Sequence, residues 1–316
     1  MAKFIIKRVL ISLLIVFIVS VFAFMLMHIL PGDPVRIVLG DDASLEDVMA
    51  MRERLHLNDP LISQYIKWIS GLFKGDYGLS ITYMRPVHDL IADRLPKTVA
   101  IGLPALIIAA LVGIIFGTAS AVKRGSLTDS TVTLLSTLGL GTPQFWIGIL
   151  LVYIFAVKLR ILPMKGFKMP SEGFGEYLKY AIMPVFCLSL NMVAGVTRQT
   201  RTNMLDVINQ DYVRTAKANG ISQKKVIFKH ALKNALIPVV TQIALQVRVV
   251  IGGSVVIEQI FNINGIGMLL REAVFNRDYM IVQTSVLFIS LVTVFCNLVV
   301  DLLYGFINPQ IRKSGW

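Results

Sequence analysis

Charged residues and cysteines are both scarce in this sequence. Only 16% of its 316 residues are charged, whereas about a quarter are charged in a typical soluble domain. Hydrophobic residues make up 55% of the chain, and its mean hydropathy is +0.70. This composition excludes a disordered chain and an ordinary soluble enzyme. Two cysteines, Cys187 and Cys296, both in apolar runs, are too few for a disulfide scaffold.

Long apolar runs take up most of the sequence. The first run follows Lys3, Lys7 and Arg8, but it is too long for a signal peptide and lacks a small-residue cleavage site. We therefore predict an uncleaved first span and an all-α polytopic membrane protein that forms one domain over residues 1–316. Each of six runs is long enough to cross a bilayer as a helix. The six predicted spans are 9–30, 98–122, 131–157, 180–196, 235–262 and 281–307.

Nearly all of the net positive charge of +12 lies in the segments that we predict to be cytoplasmic. With the N-terminus inside the cell, the cytoplasmic segments contain 15 basic and three acidic residues, whereas the external segments sum to about +1. Short cytoplasmic loops of membrane proteins are enriched in lysine and arginine in this way. We therefore predict that both termini are cytoplasmic, and the charge gives no support to nucleic-acid binding.

The predicted external loop 31–97 is long and charged, with 10 acidic and 8 basic residues. We expect it to form a small subdomain of its own. Within it, residues 60–72 have an amphipathic spacing, and Tyr65 and Trp68 are residue types that favour a membrane interface. An ordinary helix packed within the external subdomain explains the same spacing, so both interpretations stay open.

The predicted cytoplasmic segment 198–234 contains two helices joined by a tight elbow. Gly220 can end the first helix in the left-handed conformation, followed by the hydrophobic Ile221. Ser222 can cap the second helix by accepting a backbone hydrogen bond. The small Ala216 and Ala218 would let another protein surface approach closely. The elbow is thus a candidate docking point for a cytoplasmic partner, and the alternative is a basic loop that lies on lipid headgroups.

Here the sequence resembles the EAA coupling motif of ABC importer permeases, in the variant of the dipeptide, oligopeptide and nickel permeases. The resemblance extends over essentially the whole chain, and the order and spacing of its motifs carry it. These motifs include 31–34 (PGDP), 58–61 (NDPL), 75–80 (GDYGLS), 94–96 (RLP), 142–145 (TPQF), 211–216 (DYVRTA), 258–261 (EQIF), 265–267 (GIG), 277–279 (RDY), 297–301 (NLVVD) and 308–309 (NP).

The chain departs from the pattern of the family in four places. Arg214 and Thr215 precede Ala216 where the motif begins Glu-Ala-Ala, and the proline that closes the motif comes late, at Pro238. The peptide-permease variant tolerates both changes. Asn264 and Met280 occupy positions where these permeases usually have proline, which affects only the local turns.

The resemblance implies the permease subunit of an ATP-driven importer with a type I permease fold. Its partners would be a second permease, two cytoplasmic ATPases, an extracytoplasmic binding protein and the lipid bilayer of a prokaryotic cell. The chain has no G-x-x-x-x-G-K-[ST] motif, so ATP and magnesium would be bound by the ATPases, and no cofactor is expected on this chain. The ATPase-coupling residues would be Asp211, Tyr212, Arg214, Thr215, Ala216, Gly220, Ile221 and Ser222.

The transported solute is open at this point. Di- or oligopeptides are the first expectation, and nickel or a metal chelate carried by the same kind of machine is the alternative. A channel would not need a two-helix elbow for an ATPase. An intramembrane enzyme would need a nucleophile–base pair or a metal cluster in the spans, and the sequence has neither; no H-x-x-x-H or H-E-x-x-H occurs.

The fifth predicted span contains an unusual number of polar residues, and such residues in membrane spans usually face a cavity or a partner. One interpretation is that they line a translocation path. The alternative is that Arg248 and Glu258 tie this span to its neighbours or to a second permease. Asn297 and Asp301 share one face of the sixth span, which indicates a contact between helices. The candidate path residues are Gln242, Gln246, Arg248, Gly253 and Glu258.

Overall fold

The computed structural model describes residues 2–29, 34–40, 42–54, 56–252 and 254–307. These ranges contain fifteen α-helices and no β-strand, which confirms the all-α prediction. In chain order the helices are α1 (Ala2–Ile29), α2 (Pro34–Leu39), α3 (Leu45–Arg54), α4 (Leu61–Phe73), α5 (Val87–Val122), α6 (Leu127–Gly141), α7 (Gln144–Leu151), α8 (Phe174–Ile208), α9 (Asp211–Ala218), α10 (Gln223–Lys225), α11 (Leu232–Leu245), α12 (Val247–Gly252), α13 (Val255–Phe261), α14 (Ile266–Phe275) and α15 (Tyr279–Ile307).

Five helical segments of the described chain are long and apolar enough to cross a membrane. A sixth crossing results if the bent pair Leu127–Gly141 and Gln144–Lys158 counts as one span. The fourth predicted span, 180–196, is the middle of the much longer α8, which continues at both ends. The five straight segments are Ile5–Met25, Val87–Val122, Phe174–Ile208, Gln223–Gly252 and Tyr279–Leu302.

The third predicted span is not one helix. The chain turns by 98° between α6 and α7, at Thr142 and Pro143. Thr142 has extended backbone angles, with φ of −90° and ψ of 126°. Proline disfavours a helical conformation in the residue before it and has no backbone N–H to continue the helix. The single helix predicted over 131–157 is therefore wrong, and its two halves can lie at different angles in the membrane.

The fifth predicted span is broken as well. α11 and the six-residue α12 belong to one helical segment that ends at Gly252, and α13 is a separate piece that ends at Phe261, where Asn262 follows with φ of 52°. The expectation of one helix over 235–262 is therefore wrong beyond Gly252. Interrupted backbone at membrane depth is tolerated where protein or a water-filled cavity surrounds it. This break therefore indicates that the end of the fifth segment is surrounded by protein or lines a cavity.

α5 and α8 pack closely because two glycines of α5 face α8. A Cβ added at Gly113 would lie 2.6 Å from Val196, and one added at Gly117 would lie 2.6 Å from the carbonyl oxygen of Thr197. Such distances are far inside van der Waals contact, so only glycine fits. The small-residue spacing of 113 and 117 thus has its usual meaning in membrane helices, a close helix–helix contact.

The loop before α5 is fastened to the start of α15 by Asp278, which is 1% exposed. Its carboxylate accepts hydrogen bonds from Ser80 Oγ at 2.6 Å and from Thr82 N at 2.9 Å. Nearby, Tyr83 donates to Glu272 at 2.7 Å. Burial, reinforced by this hydrogen bond, raises the pKa of Tyr83 to about 12, so it remains a donor at physiological pH. The sequence motifs at 75–80 and 277–279 therefore meet in space.

Candidate functional site

The segment before the fifth membrane helix folds as a helix, an elbow and a second helix. α9 ends at Ala218, and Gly220 is left-handed with φ of 74°. Gly220 N donates to Lys217 O at 3.0 Å, and Ile221 N donates to Ala216 O at 3.3 Å. This pair of bonds is the Schellman motif, which favours glycine because it has no Cβ. The predicted backbone geometry of the elbow is confirmed.

The helix after the elbow continues directly into the membrane. α10, the π-helical turn Val226–Ala231, α11 and α12 form one helical segment, Gln223–Gly252. Ser222 stands at the predicted N-cap position, but its side chain makes no capping hydrogen bond, so the predicted bond is wrong. Because no loop separates the elbow from the membrane segment, a displacement of the elbow is passed along a continuous helix.

The inner face of the elbow packs against its own chain. Val213 and Ala216 of α9 are buried together with Met204 of α8 and Val226 beyond the elbow. The expectation that Ala216 admits another protein surface is therefore wrong, because its methyl group already fills this core. Ala218 is exposed and remains available to a partner.

The outer face of the elbow is open to a partner. Tyr212 fixes α9 to the following helix: Asn234 Nδ2 donates to its hydroxyl at 2.8 Å, and the hydroxyl lies 3.4 Å from the carbonyl oxygen of His230. Ile221 is half-buried, so it anchors the turn from inside. The sequence-predicted coupling residues that are exposed are Asp211, Tyr212, Arg214, Thr215, Gly220 and Ser222.

A buried ion pair lies at the same end of the bundle as the elbow. Arg201 of α8 holds the carboxylate of Asp129 with two bonds, Nε to Oδ1 at 2.7 Å and Nη2 to Oδ2 at 3.0 Å. Gly125 N and the Ser120 hydroxyl donate to the same carboxylate. This two-pronged geometry is the strong form of an arginine–carboxylate pair. It joins the α5–α6 turn to α8, and the sequence indicates it only through the Ser126–Asp129 helix-cap spacing.

Two of the candidate path residues meet at a helix contact. Gln242 and Gln246 both turn their amide groups toward Gly195 of α8, where a Cβ would lie 3.6 Å from Gln246 Nε2 and 4.0 Å from Gln242 Nε2. Both side chains are partly exposed. Their predicted position on one face is confirmed. Gly253, the third residue placed on that face, lies outside the described residues.

Arg248 points away from the packed side of α12. Its neighbours Val250 and Ile251 are buried, whereas Arg248 is exposed. Within the part of the chain that the structure describes, its guanidinium has no hydrogen bond or ion pair. An unpaired arginine in contact with hydrocarbon is costly. This cost favours a water-filled cavity or another subunit over lipid as the surroundings of Arg248.

Glu258 is fully buried and bonded on both carboxylate oxygens. Oε1 accepts from Thr98 of α5 at 2.7 Å and from Ser254 at 2.9 Å. Oε2 accepts from the backbone N of Met268, in the first turn of α14, at 2.8 Å. A carboxylate at a helix N-terminus also interacts favourably with the helix dipole. These contacts support the structural interpretation of Glu258, whereas a path-lining role would need an exposed carboxylate.

Asp301 joins the last helix to the first. Its Oδ2 accepts from Arg8 Nη1 of α1 at 2.8 Å. The interpretation of Asp301 as a contact between helices is therefore confirmed, with Arg8 as its partner. Asn297 lies one turn away and lines the same cleft between α1 and α15.

Comparison with known proteins shows that two consecutive parts of the sequence match one protein family. The family described as "Binding-protein-dependent transport system inner membrane component" matches residues 103–313, and its N-terminal region matches residues 1–102. The oligopeptide transport system permease protein AppB of Bacillus subtilis is 39% identical over 99% of this chain and 100% of its own length. The probable peptide ABC transporter permease y4tP of Sinorhizobium fredii is 38% identical over 99% and 100%. The glutathione transport system permease GsiC of Escherichia coli is 39% identical over 99% of each chain.

Proposed function

The chain belongs to the family of binding-protein-dependent transport inner-membrane components, and from that premise we propose that it forms half of the membrane pathway of a peptide importer. It is a permease subunit rather than an enzyme. The other half would be a second permease of the same family. Two ATPase subunits would bind on the cytoplasmic side, and a binding protein would deliver the solute from outside.

The observation that carries this proposal is the elbow at Gly220. It presents an exposed turn, and it continues without a loop into the membrane segment Gln223–Gly252. A subunit without a phosphate-binding loop needs such a surface in order to receive movement from an ATPase. The ATPase would dock at the elbow. The helix that follows the elbow would transmit the movement that reorients the pathway in alternating access.

The names of the relatives support peptides as the solute. Those proteins are described as permeases for oligopeptides, peptides and glutathione. The exposed Arg248 agrees with this class if it faces the pathway, because a lone cation attracts the terminal carboxylate of a peptide and repels a bare divalent cation such as Ni²⁺. Peptides are therefore favoured over nickel.

The test is transport by the reconstituted assembly. This chain would be expressed with a second permease, ATPases and a binding protein, sought first among the products of the neighbouring genes, and the complex would be purified and placed in vesicles. We expect ATP-dependent uptake of a labelled di- or oligopeptide and no uptake of ⁶³Ni²⁺. We also expect no ATP hydrolysis by the chain purified without the ATPases. Uptake of nickel but not of any peptide in a survey of two to five residues would overturn the proposed solute, and robust ATPase activity of the isolated chain would overturn the subunit's role.

A further inference from the structure

α4 has one apolar side that the protein leaves uncovered. At 100° per residue, Ile62, Ile66 and Phe73 fall within about 40° of one another on the helix. Their exposed fractions are 75%, 59% and 90%. Lys67 lies about 120° from the centre of this side and is exposed, paired with Asp59. The helix therefore has a polar side and an apolar side, and its apolar side is not packed within the external loop.

Two hydrogen bonds fix the depth of this region beside the membrane helices. The hydroxyls of Tyr65 on α4 and Ser20 on α1 are 2.8 Å apart. Ser20 lies eight residues, or about 12 Å along the helix, before the polar His28 near the end of α1. At the other span, Thr284 lies five residues inside the segment Tyr279–Leu302 and donates to Tyr77 O at 3.2 Å. The segment from α4 to Tyr77 thus lies beside the ends of two spans rather than above them.

An apolar groove runs below α4 between α1 and α15. Its volume is about 470 Å³, and its lining includes Leu13, Phe17, Phe73, Leu287 and Leu291. Leu13 and Phe17 are 60% and 57% exposed on α1, at the middle of a span, where hydrocarbon surrounds the protein. The groove and the open side of α4 are therefore continuous with the lipid-facing surface of the first span.

We propose that α4 is an interfacial helix whose apolar side enters the bilayer, and that the groove beneath it holds one lipid acyl chain. Interfacial helices bury their apolar side about 5–10 Å into the headgroup–acyl boundary, and here Tyr65 and Tyr77 reach side chains that lie within the two spans. A lipid chain is the occupant because the groove opens at span depth onto the lipid-facing surface. The second permease is the competing occupant, and the experiment below separates the two.

The first test measures the depth of each side of α4 in the assembled transporter. Phe73→Cys and Lys67→Cys, each in a Cys296→Ser background, are labelled with a bimane dye and placed in nanodiscs whose lipids are brominated near the glycerol end of the acyl chain. We expect a loss of fluorescence at position 73, relative to unbrominated lipid, and little loss at position 67, which water-borne iodide should quench instead. Ile66→Cys replaces Phe73→Cys if that variant does not accumulate.

Two results would overturn the placement of α4. Equal quenching at both positions would mean that the helix does not lie with one side in lipid. An unquenched label at 73, together with crosslinking of that cysteine to the second permease, would mean that a protein subunit covers the side.

The second test measures the lipid in the groove. Leu291→Trp fills the groove, whereas Leu111→Trp places the same bulk on an exposed position of α5, outside it (59% exposed). Native mass spectrometry with added phospholipid should count one bound lipid fewer for Leu291→Trp than for the parent and the control. An unchanged count would exclude a lipid chain from this groove.

Discussion

At Gly220 the backbone conformation, and not the available space, limits which side chain fits. A Cβ at this position would meet no atom within 4 Å, but φ is 74°. The left-handed conformation costs a non-glycine residue about 1–2 kcal/mol, and a β-branched residue tolerates it least. Gly220→Val should therefore distort the elbow and uncouple uptake from ATP hydrolysis, while the membrane helices still insert. Co-purification of the ATPases and peptide uptake in vesicles measure this effect.

Gly75 supplies the matched control. Its φ is 82°, and a Cβ there would also meet nothing within 4 Å, so Gly75→Val introduces the same backbone strain in a turn far from the elbow in sequence. Normal coupling in Gly75→Val and lost coupling in Gly220→Val would assign the effect to the elbow. If Gly220→Val retains its ATPases and transports like the parent, the elbow is not the docking point.

At Arg248 the charge itself is the feature to test. If the exposed guanidinium attracts the solute's carboxylate, Arg248→Ala should reduce peptide uptake by at least about tenfold, because hydrogen bonds to charged groups contribute about 1.5–3 kcal/mol. Arg248→Lys should retain more uptake than Arg248→Ala. Assembly and ATPase activity should survive in both variants. Loss of assembly in Arg248→Ala would instead indicate that this residue joins the two permeases.

At the scale of helices, Asp129 and Arg201 join the α5–α6 turn to α8. Their side chains are 9% and 28% exposed. Removing one partner leaves the other charge uncompensated, which costs about 3–5 kcal/mol in a fully buried pair and less here because Arg201 is partly exposed. Arg201→Gln should therefore lower the melting temperature of the assembled transporter, and Asp129→Asn/Arg201→Gln should recover part of the loss. If the double variant is as unstable as the sum of the two single variants, the pair is not coupled.

Sequence patterns located the helices but missed their interruptions, and the reason differs from one helix to another. Hydropathy measures only whether a run of residues can lie in hydrocarbon, so 131–157 looked continuous although Pro143 turns the chain. At the end of the fifth segment, no proline marks the break. There Glu258 accepts hydrogen bonds from Thr98, which is 160 residues away in sequence, and from Met268 in the next helix, and no local sequence pattern indicates these partners. The Gly220 elbow was predictable because its bonds are local, between residues only three to five positions apart.

At the scale of the whole molecule, the elbow, α8 and the fifth membrane segment pack against one another. The core around Met204 and Ala216 attaches α9 to α8, and the helix beyond the elbow continues into the membrane. Gln242 and Gln246 face α8 farther along the same segment. Packed helices thus connect the elbow to the candidate path, and if the elbow is the proposed docking point, it has to lie on the side of the membrane where ATP is available.

The orientation of the chain can be tested from this requirement together with the charge distribution. The segments predicted to be cytoplasmic carry a net charge of +12, against about +1 outside, and positive loops remain on the cytoplasmic side.

Ser222→Cys and Ser171→Cys are conservative probes at exposed positions on the two predicted sides. Cys187 is buried, and Cys296→Ser removes the other native thiol. In intact cells a membrane-impermeant maleimide should label position 171 and spare position 222 until the membrane is opened. The opposite pattern would reverse the topology and place the elbow out of reach of any cytoplasmic ATPase.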